Sequence, residues 1–264
     1  MEKEMQNIED VHAFWNSRAG LGQLAGTQDI IAKQLEIKAI ANYIQDGMRV
    51  LEVGCGNGLT AIELARRFDV TLEGIDYAEE MVNAAKELAG KQVLRGQLQF
   101  QVGDVQKLVE LKEALFDLIY TERVIINFPD WPTQKQAIID ICQLVAHGGA
   151  FVMLENSEDG LDSINVLRKQ VGLAAISPPW HNRYFRDDEL AQLSIPNVVL
   201  EKKDFYSSTY YFLSRVVNAW LAKREGKEPE YEAAVNQLAL ELPAIGQLGQ
   251  GRIWLWRKNE VKQK

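Results

Sequence analysis

The sequence predicts an α/β protein built on a mostly parallel sheet with helices packed on its faces. Three observations predict it. From residue 48 to about 155, short apolar runs with strand alternation take turns with amphipathic stretches of helical period, the rhythm of strands joined by crossover helices. The first of these strands runs into a glycine-dense loop, "EVGCGNG" at 52–58, and from there directly into a helix. The next two strands both end on an acid, Asp76 and Asp104. Right-handed crossovers put such strand ends on one edge of the sheet, so the loop and the acids are expected to meet.

Taken in order, residues 1–45 read as mostly helical and form an expected lid ahead of the sheet, with a core at 46–160. "RVLEV" (49–53) is a buried strand. The helix after the loop carries Ala61, Leu64, Ala65 and Phe68 on one face, at spacings of three and four. "VTLEGID" turns Val70, Leu72 and Gly74 inward, and "AEEMVNAAKELAG" is a helix stopped by Gly90. "LQFQVGD" turns Leu98, Phe100 and Val102 inward, and "FDLIYTE" is a fourth strand. The stretch 132–149 opens on Pro132 and closes on Gly148–Gly149, which predicts a helix of that length, followed by a fifth strand at 150–156. Beyond 160 the rhythm changes. Residues 161–250 read as substrate-side insertions around a sixth strand at 198–206, with Ile164, Leu167 and Val171 on one helix face, Phe212, Val216 and Ala219 on another, and Val235, Leu238, Ala239 and Leu242 on a third. "RIWLWRK" predicts a last strand at 251–258, so the 264 residues read as one domain.

Composition narrows the function. Hydrophobic residues make up 47% and charged residues 25%, ordinary for a globular protein with a sizeable core. The net charge of −8 and the absence of a dense basic stripe argue against nucleic acid as a partner. No apolar run approaches the length that spans a bilayer, and the start shows no basic segment followed by an apolar one. A cytoplasmic protein without membrane insertion is expected. The two cysteines and three histidines are scattered, without metal-ligand spacing, so no metal is expected.

Two ligand classes compete for the glycine loop. Dinucleotide sites use G-x-G-x-x-G, in which bare backbone approaches a pyrophosphate. Here Gly54, Gly56 and Gly58 are spaced G-x-G-x-G, and Leu59 occupies the place of the third dinucleotide glycine. No Gly-Lys-Ser/Thr follows, which excludes a P-loop. Glu52, two residues ahead of the first glycine, would repel a pyrophosphate and suits an ammonium group. Asp76, 18 residues past Gly58, can accept ribose hydroxyls, and Asp104 an amine hydrogen of a purine. The set describes an adenosine with an amino-acid-like cationic tail.

On these residues the chain resembles the class I S-adenosylmethionine-dependent methyltransferases. "VLEVGCGNG", "GIDYAEEMV", "VGDVQKL", "FDLIYTERVI" and "LVAHGGAFVM" occur in family order and at family-like spacing across residues 48 to 155. The resemblance implies a Rossmann-like seven-stranded sheet with its last strand antiparallel, and S-adenosylmethionine as cofactor. It further implies that Glu52, Gly54, Gly56 and Gly58 hold the methionine part, with Cys55 a small residue in the tight loop. Asp76 would bind the ribose, Tyr77 and Met81 would flank the adenine, and Asp104 with the Val105 N–H would read its edge. Thr121 and Glu122 would line the site near the sulfonium. "FWNSRAG" (14–20) is similar to the lid segment of small-molecule members, which makes Arg18 a candidate partner of the cofactor carboxylate.

The donor carries its own driving force, so the protein supplies orientation and a dry site, plus a base where the acceptor is a high-pKa hydroxyl. Of the histidines, His12 lies in the expected lid and His147 at a helix end. His181, in the proline-rigid loop "ISPPWHNRYF", is the leading candidate base, with Glu122 and Glu155 behind it. Trp180, Asn182, Arg183, Tyr184 and Tyr211 are candidate acceptor ligands. The C-terminal half is similar to a subgroup associated with bacterial polysaccharide and sugar modification, which implies O-methylation of a sugar or glycan-linked acceptor. N- or C-methylation of another small metabolite, or a non-catalytic binding module, are the competing readings. The oligomeric state is open.

Overall fold

The computed structural model describes residues 8–18, 27–111 and 115–260. Its centre is a seven-stranded sheet: β1 (Arg49–Val53), β2 (Thr71–Asp76), β3 (Gln97–Val102), β4 (Phe116–Glu122), β5 (Val145–Asn156), β6 (Val198–Asp204) and β7 (Gly251–Lys258). The order across the sheet is β3-β2-β1-β4-β5-β7-β6. β1 to β5 pair in parallel, and β7 slots antiparallel between β5 and β6. The chain reverses direction across the sheet between β1 and β4, the place where open α/β sheets form ligand crevices.

Period-two alternation sorts the strands onto two faces. Leu51, Val53, Ile119, Phe151, Met153, Trp254 and Trp256 point into one core, against Ala137, Ile138 and Ile141 of α5 (Trp131–Leu144). Val50, Leu118, Tyr120, Val152, Leu154, Ile253 and Leu255 point into the other. There they meet α2 (Ile30–Ala41) through Ala39 and Ile40, α3 (Leu59–Arg67) through Ala61 and Leu64, and α4 (Glu79–Ala89) through Val82 and Ala85. Each such side chain contributes roughly 1.5–3 kcal/mol when fully buried. α1 (Ile8–Arg18) lies against α4, where Trp15 packs beside Met81 and Tyr77.

The C-terminal region adds α6 (Glu158–Gln170), α7 (Asp187–Ala191) and α8 (Ser208–Phe212). α8 runs through a π-helical turn, Leu213–Asn218, into α9 (Ala219–Glu225), and α10 (Ala234–Glu241) follows. Ile164 of α6, Val216 and Ala239 join Tyr210 and Tyr211 in a third core over α2.

Several boundaries depart from the periodicity. α5 stops at Leu144, not at Gly148, because Val145 already pairs with Phe116 and opens a longer β5 that runs through a bulge. Val102 is 54% exposed, since β3 is an edge strand. Val171, Phe212, Leu238 and Leu242 also face outward. No described helix is long and apolar enough to cross a membrane.

Candidate active site

A cavity of about 660 Å³ opens over the carboxyl ends of β1, β2 and β4, within the range of small-molecule sites. The glycine loop forms its floor. Gly54, Gly56 and Gly58 all hold positive φ, +74°, +51° and +76°, which L side chains rarely adopt. A Cβ at Gly54 would stand 2.4 Å from the Val124 side chain, and one at Gly58 2.6 Å from Phe100. A Cβ at Gly56 meets no protein atom within 4 Å, because this glycine faces the cavity. Asp76 ties the loop to β2: its carboxylate accepts from the Gly56 N–H at 2.8 Å and from the Ala78 N–H at 2.9 Å. A carboxylate has about four acceptor sites, so ribose hydroxyls can still be received.

Glu52 points most directly to a cationic ligand. It is 2% exposed, it lines the cavity, and its Oε2 has no hydrogen-bond partner among the described residues. Burial pushes its carboxyl well above the ordinary range, against the pull of the Lys33 ammonium. A buried carboxyl with one unanswered oxygen is costly until a donor arrives, and an ammonium group is the donor that fits. Tyr77, Met81, Asp104 and Val105 line the same half. Met81 is buried, the Tyr77 hydroxyl donates to the Val11 carbonyl at 3.4 Å, and Asp104 accepts from the Gln106 N–H at 2.9 Å. The adenosine and amino-acid parts of S-adenosylmethionine match this set of groups. Cys55 lines the cavity as a buried thiol that desolvation keeps protonated.

The other half lies beyond the end of β4. Glu122 takes the Lys33 ammonium, the Thr60 hydroxyl at 2.6 Å and Arg123 at 3.4 Å. Burial alone would raise its carboxyl, but Lys33 and Arg123 outweigh that and hold it at about 2. Arg123 occupies the left-handed region at φ 59°, a conformation costly for a residue with a side chain and typical of functional turns. The turn after it, Ile125–Asn127, is anchored by Glu155. That carboxylate accepts from Val124 at 3.1 Å, Ile125 at 3.0 Å and Ile126 at 3.3 Å. Its place as an anchor takes it out of the list of candidate bases.

The remaining candidates divide. His181, Asn182, Tyr184 and Tyr211 line the cavity. The His181 ring sits among Phe14, Trp15 and Trp180, 4.7–6.0 Å between centroids, and its buried Nδ1 has no hydrogen-bond partner among the described residues. Burial, with Arg18 nearby, lowers its pKa, so the ring is neutral at pH 7. Asn182 donates from its side-chain amide to the side-chain Oδ1 of Asn127 at 3.1 Å. Five candidates lie outside the lining, among them Gly58, whose open side faces Phe100. Thr121 is fully buried and points to the opposite sheet face from Tyr120 and Glu122. Arg183 donates to Gln134 at 2.6 Å and pairs with Glu189. Trp180 is 63% exposed, and the Arg18 guanidinium lies 5.6 Å over the Phe14 ring. His147 bonds the Asn259 carbonyl at the amino end of β5, far along the strand from the cavity. The side chain of His12 and residues 19–26 lie outside the described residues.

Sequence reasoning missed Lys33, Glu36, Arg123, Arg215, Asn156 and Gln250, all of which line the acceptor half. Part of this was readable: the N-cap Asp29 with Lys33 and Glu36 fall at i, i+4 and i+7, one charged stripe along the face of α2. Arg215 was not, because a π-helical turn carries it inward. There it lies among the Tyr210, Tyr211 and Tyr231 rings and pairs with Asp29 at 3.1 Å.

Comparison with known proteins agrees with this geometry. A methyltransferase-domain family model matches residues 44–207. A 27-O-demethylrifamycin SV methyltransferase of Amycolatopsis mediterranei is 27% identical over 197 residues, 71% of this chain and 68% of the relative. A norajmaline N-methyltransferase of Rauvolfia serpentina is 28% identical over 143 residues, 52% of this chain and 48% of the relative. The chain thus spans about half to two thirds of these relatives' length. Among solved structures, a magnesium protoporphyrin IX methyltransferase of Synechocystis with bound S-adenosylhomocysteine has the same fold, with a TM-score of 0.63 at 15% identity, covering 96% of this chain and 100% of that one. Five ordered motifs, a donor half with an unanswered buried carboxyl, and a family match over more than half its length converge: the chain belongs to the methyltransferase-domain family, as a class I enzyme that uses S-adenosyl-L-methionine.

Proposed function

We propose that the protein methylates a hydroxyl of a small polar acceptor, with a sugar or glycan-linked unit as the leading class. The observation that carries this reading is the make-up of the acceptor half. Asn156, Tyr184, Tyr211, Arg215 and Gln250 line it, all of them hydrogen-bonding groups, and the Gln250 Oε1 is buried without a partner among the described residues. A wall of this kind rewards an acceptor with several hydroxyls, which can join these groups and answer the Gln250 oxygen, over an apolar one that leaves that oxygen buried and unpaired.

The donor supplies an electrophilic methyl group. The chain's own residues hold and orient. Glu52 receives the ammonium, Asp76 the ribose, and Asp104 with the Val105 N–H the adenine edge, between Tyr77 and Met81. The bare face at Gly56 allows close approach of backbone to ligand. Tyr184, Tyr211 and Asn182 contact the acceptor, His181 closes the wall beside the adenine, and Trp180 and Arg18 serve the rim and the lid.

The test is S-adenosylhomocysteine release with a panel of methyl glycosides, nucleotide-linked sugars, phenols and alkylamines. Turnover with a sugar hydroxyl is expected. Turnover with amines alone would move the reading to N-methylation, as in the norajmaline relative. Tight donor binding with no turnover across the panel would favour a non-catalytic module.

A further inference from the structure

Two carboxyl groups face each other at the acceptor end of the cavity. Glu36 of α2 and Glu122 at the end of β4 have side chains only 3% and 4% exposed. Arg123 bridges them: its Nε stands 3.2 Å from one oxygen of Glu36, and a terminal nitrogen stands 3.3 Å from the other and 3.4 Å from Glu122. In the donor-free protein, two buried carboxyls that share one guanidinium hold one proton between them. The remaining partners decide where it resides. Glu122 also has Lys33 and the Thr60 hydroxyl, whereas Arg123 is the hydrogen-bond donor that reaches Glu36. Burial, against Arg123 and with the help of Glu122, pushes the Glu36 carboxyl up to about 8. The charged and titratable groups facing Glu36 are Lys33 on its own helix, Glu122 and Arg123 from β4, and Tyr206 and Tyr211 from the segment after β6. Gln250, with its unanswered buried oxygen, lines the same cavity.

We propose that Glu36 is the catalytic base of the methyl transfer, receiving the acceptor's hydroxyl proton, with Glu122 and Arg123 as the positioning residues that hold its carboxyl at the cavity wall. The proposal rests on the hydroxyl-acceptor reading above. The acceptor oxygen bonds the methyl carbon as the carbon–sulfur bond breaks, its electron pair staying on sulfur. The oxygen's proton passes to Glu36, which becomes the neutral acid and later returns the proton to water. Glu122 cannot take this part, because Lys33 and Arg123 keep it an ionised, weak base. His181 stands elsewhere: it meets Trp15 edge-on, and Trp15 packs on Tyr77 and Met81, on the wall assigned to the adenine.

The test counts protons. S-adenosylmethionine and S-adenosylhomocysteine share the ammonium and adenosine parts, and only the first carries a sulfonium charge. Titration calorimetry at pH 7 in buffers of different ionisation enthalpy is expected to show more proton release for S-adenosylmethionine, since an added positive charge drives Glu36 to its carboxylate. Glu36→Gln removes that excess and leaves the release common to both ligands. Equal release in the parent protein, or an excess that survives in Glu36→Gln, overturns the proposal. Should Glu36→Gln not fold, Glu122→Gln decides, because loss of the neighbouring charge leaves Glu36 already ionised and the excess must shrink. With an acceptor from the panel, Glu36→Gln lowers kcat by roughly 10²–10⁴ while the affinity for S-adenosylhomocysteine, which carries no sulfonium charge, stays unchanged; unchanged kcat overturns the assignment. A panel without hydroxyl turnover sinks the acceptor reading, whereas the proton count judges the shared proton by itself.

Discussion

Glu52 shows how a single buried group links chemistry to affinity. Its carboxyl is raised by burial, so the donor-free protein holds it partly neutral as the pH falls, while an ammonium ligand needs the carboxylate. Donor affinity should therefore rise with pH and weaken on acidification. Glu52→Gln should flatten that dependence and weaken donor binding by roughly 10- to 100-fold, the size of a lost charge-assisted hydrogen bond, as read by calorimetry; an unchanged affinity removes Glu52 from the site. The glycines separate fold from function at the same scale. Gly54→Ala drives a Cβ against Val124 and adds left-handed strain, so the protein should lose roughly 2–4 kcal/mol in urea unfolding. Gly56→Ala meets open space and should lose only about 1–2 kcal/mol, yet its new methyl group enters the donor's place and should abolish binding. Glu52, Asp76 and Asp104 were legible because each belongs to, or closes, a strand at the edge where ligands gather. Arg183 was misleading, since its sequence neighbours suit a substrate loop while its side chain is committed to Gln134 and Glu189.

At the scale of elements, the decisive piece is the end of β4 and its turn. Alternation alone assigns Tyr120 and Glu122 to the face of Glu52, with which Tyr120 is in register, and Thr121 to the other face. Strand period was thus enough to exclude Thr121, and motif position overrode it. What no local pattern carries is Glu155, one strand over, holding three consecutive N–H groups of the turn. Burial raises its carboxyl from 4.5 to about 7 against those hydrogen bonds. The sign follows: the folded chain binds this proton more tightly than the unfolded one, so the contribution to stability is full below about 4.5 and is lost as the pH rises through 7. The loss is roughly 3 kcal/mol at 1.36 kcal/mol per unit. Glu155→Gln should flatten that part of the pH–stability curve, measured by urea midpoints between pH 5 and 8. An identical slope in the variant would show that Glu155 does not titrate there. The helix boundaries misread from sequence have an equally physical origin: Gly148 looks like a stop signal, but pairing of Val145 with β4 ends α5 first.

For the whole molecule, the sheet was legible because its central strands are buried on both faces and read as apolar runs, with acids and glycines gathered at one edge. The acceptor half was not, because it is assembled from α2, the π-helical turn after α8 and the loop before α7, segments that meet only in the folded chain. Its polar wall and the donor half form one cavity, so ligand binding should stabilise the fold as a unit. A donor present at 100 times its dissociation constant adds about 2.7 kcal/mol, which for a chain of this size raises Tm by roughly 5–10 °C. S-adenosylmethionine and S-adenosylhomocysteine should both do so, whereas NAD should not, because Leu59 stands where a dinucleotide loop needs its third glycine and Glu52 repels a pyrophosphate. The shift should also grow from pH 6 to 8, as Glu52 ionises more readily, provided the apo Tm is subtracted at each pH. A Tm raised by NAD as much as by the methyl donor would overturn the reading of the glycine loop on which the donor half rests.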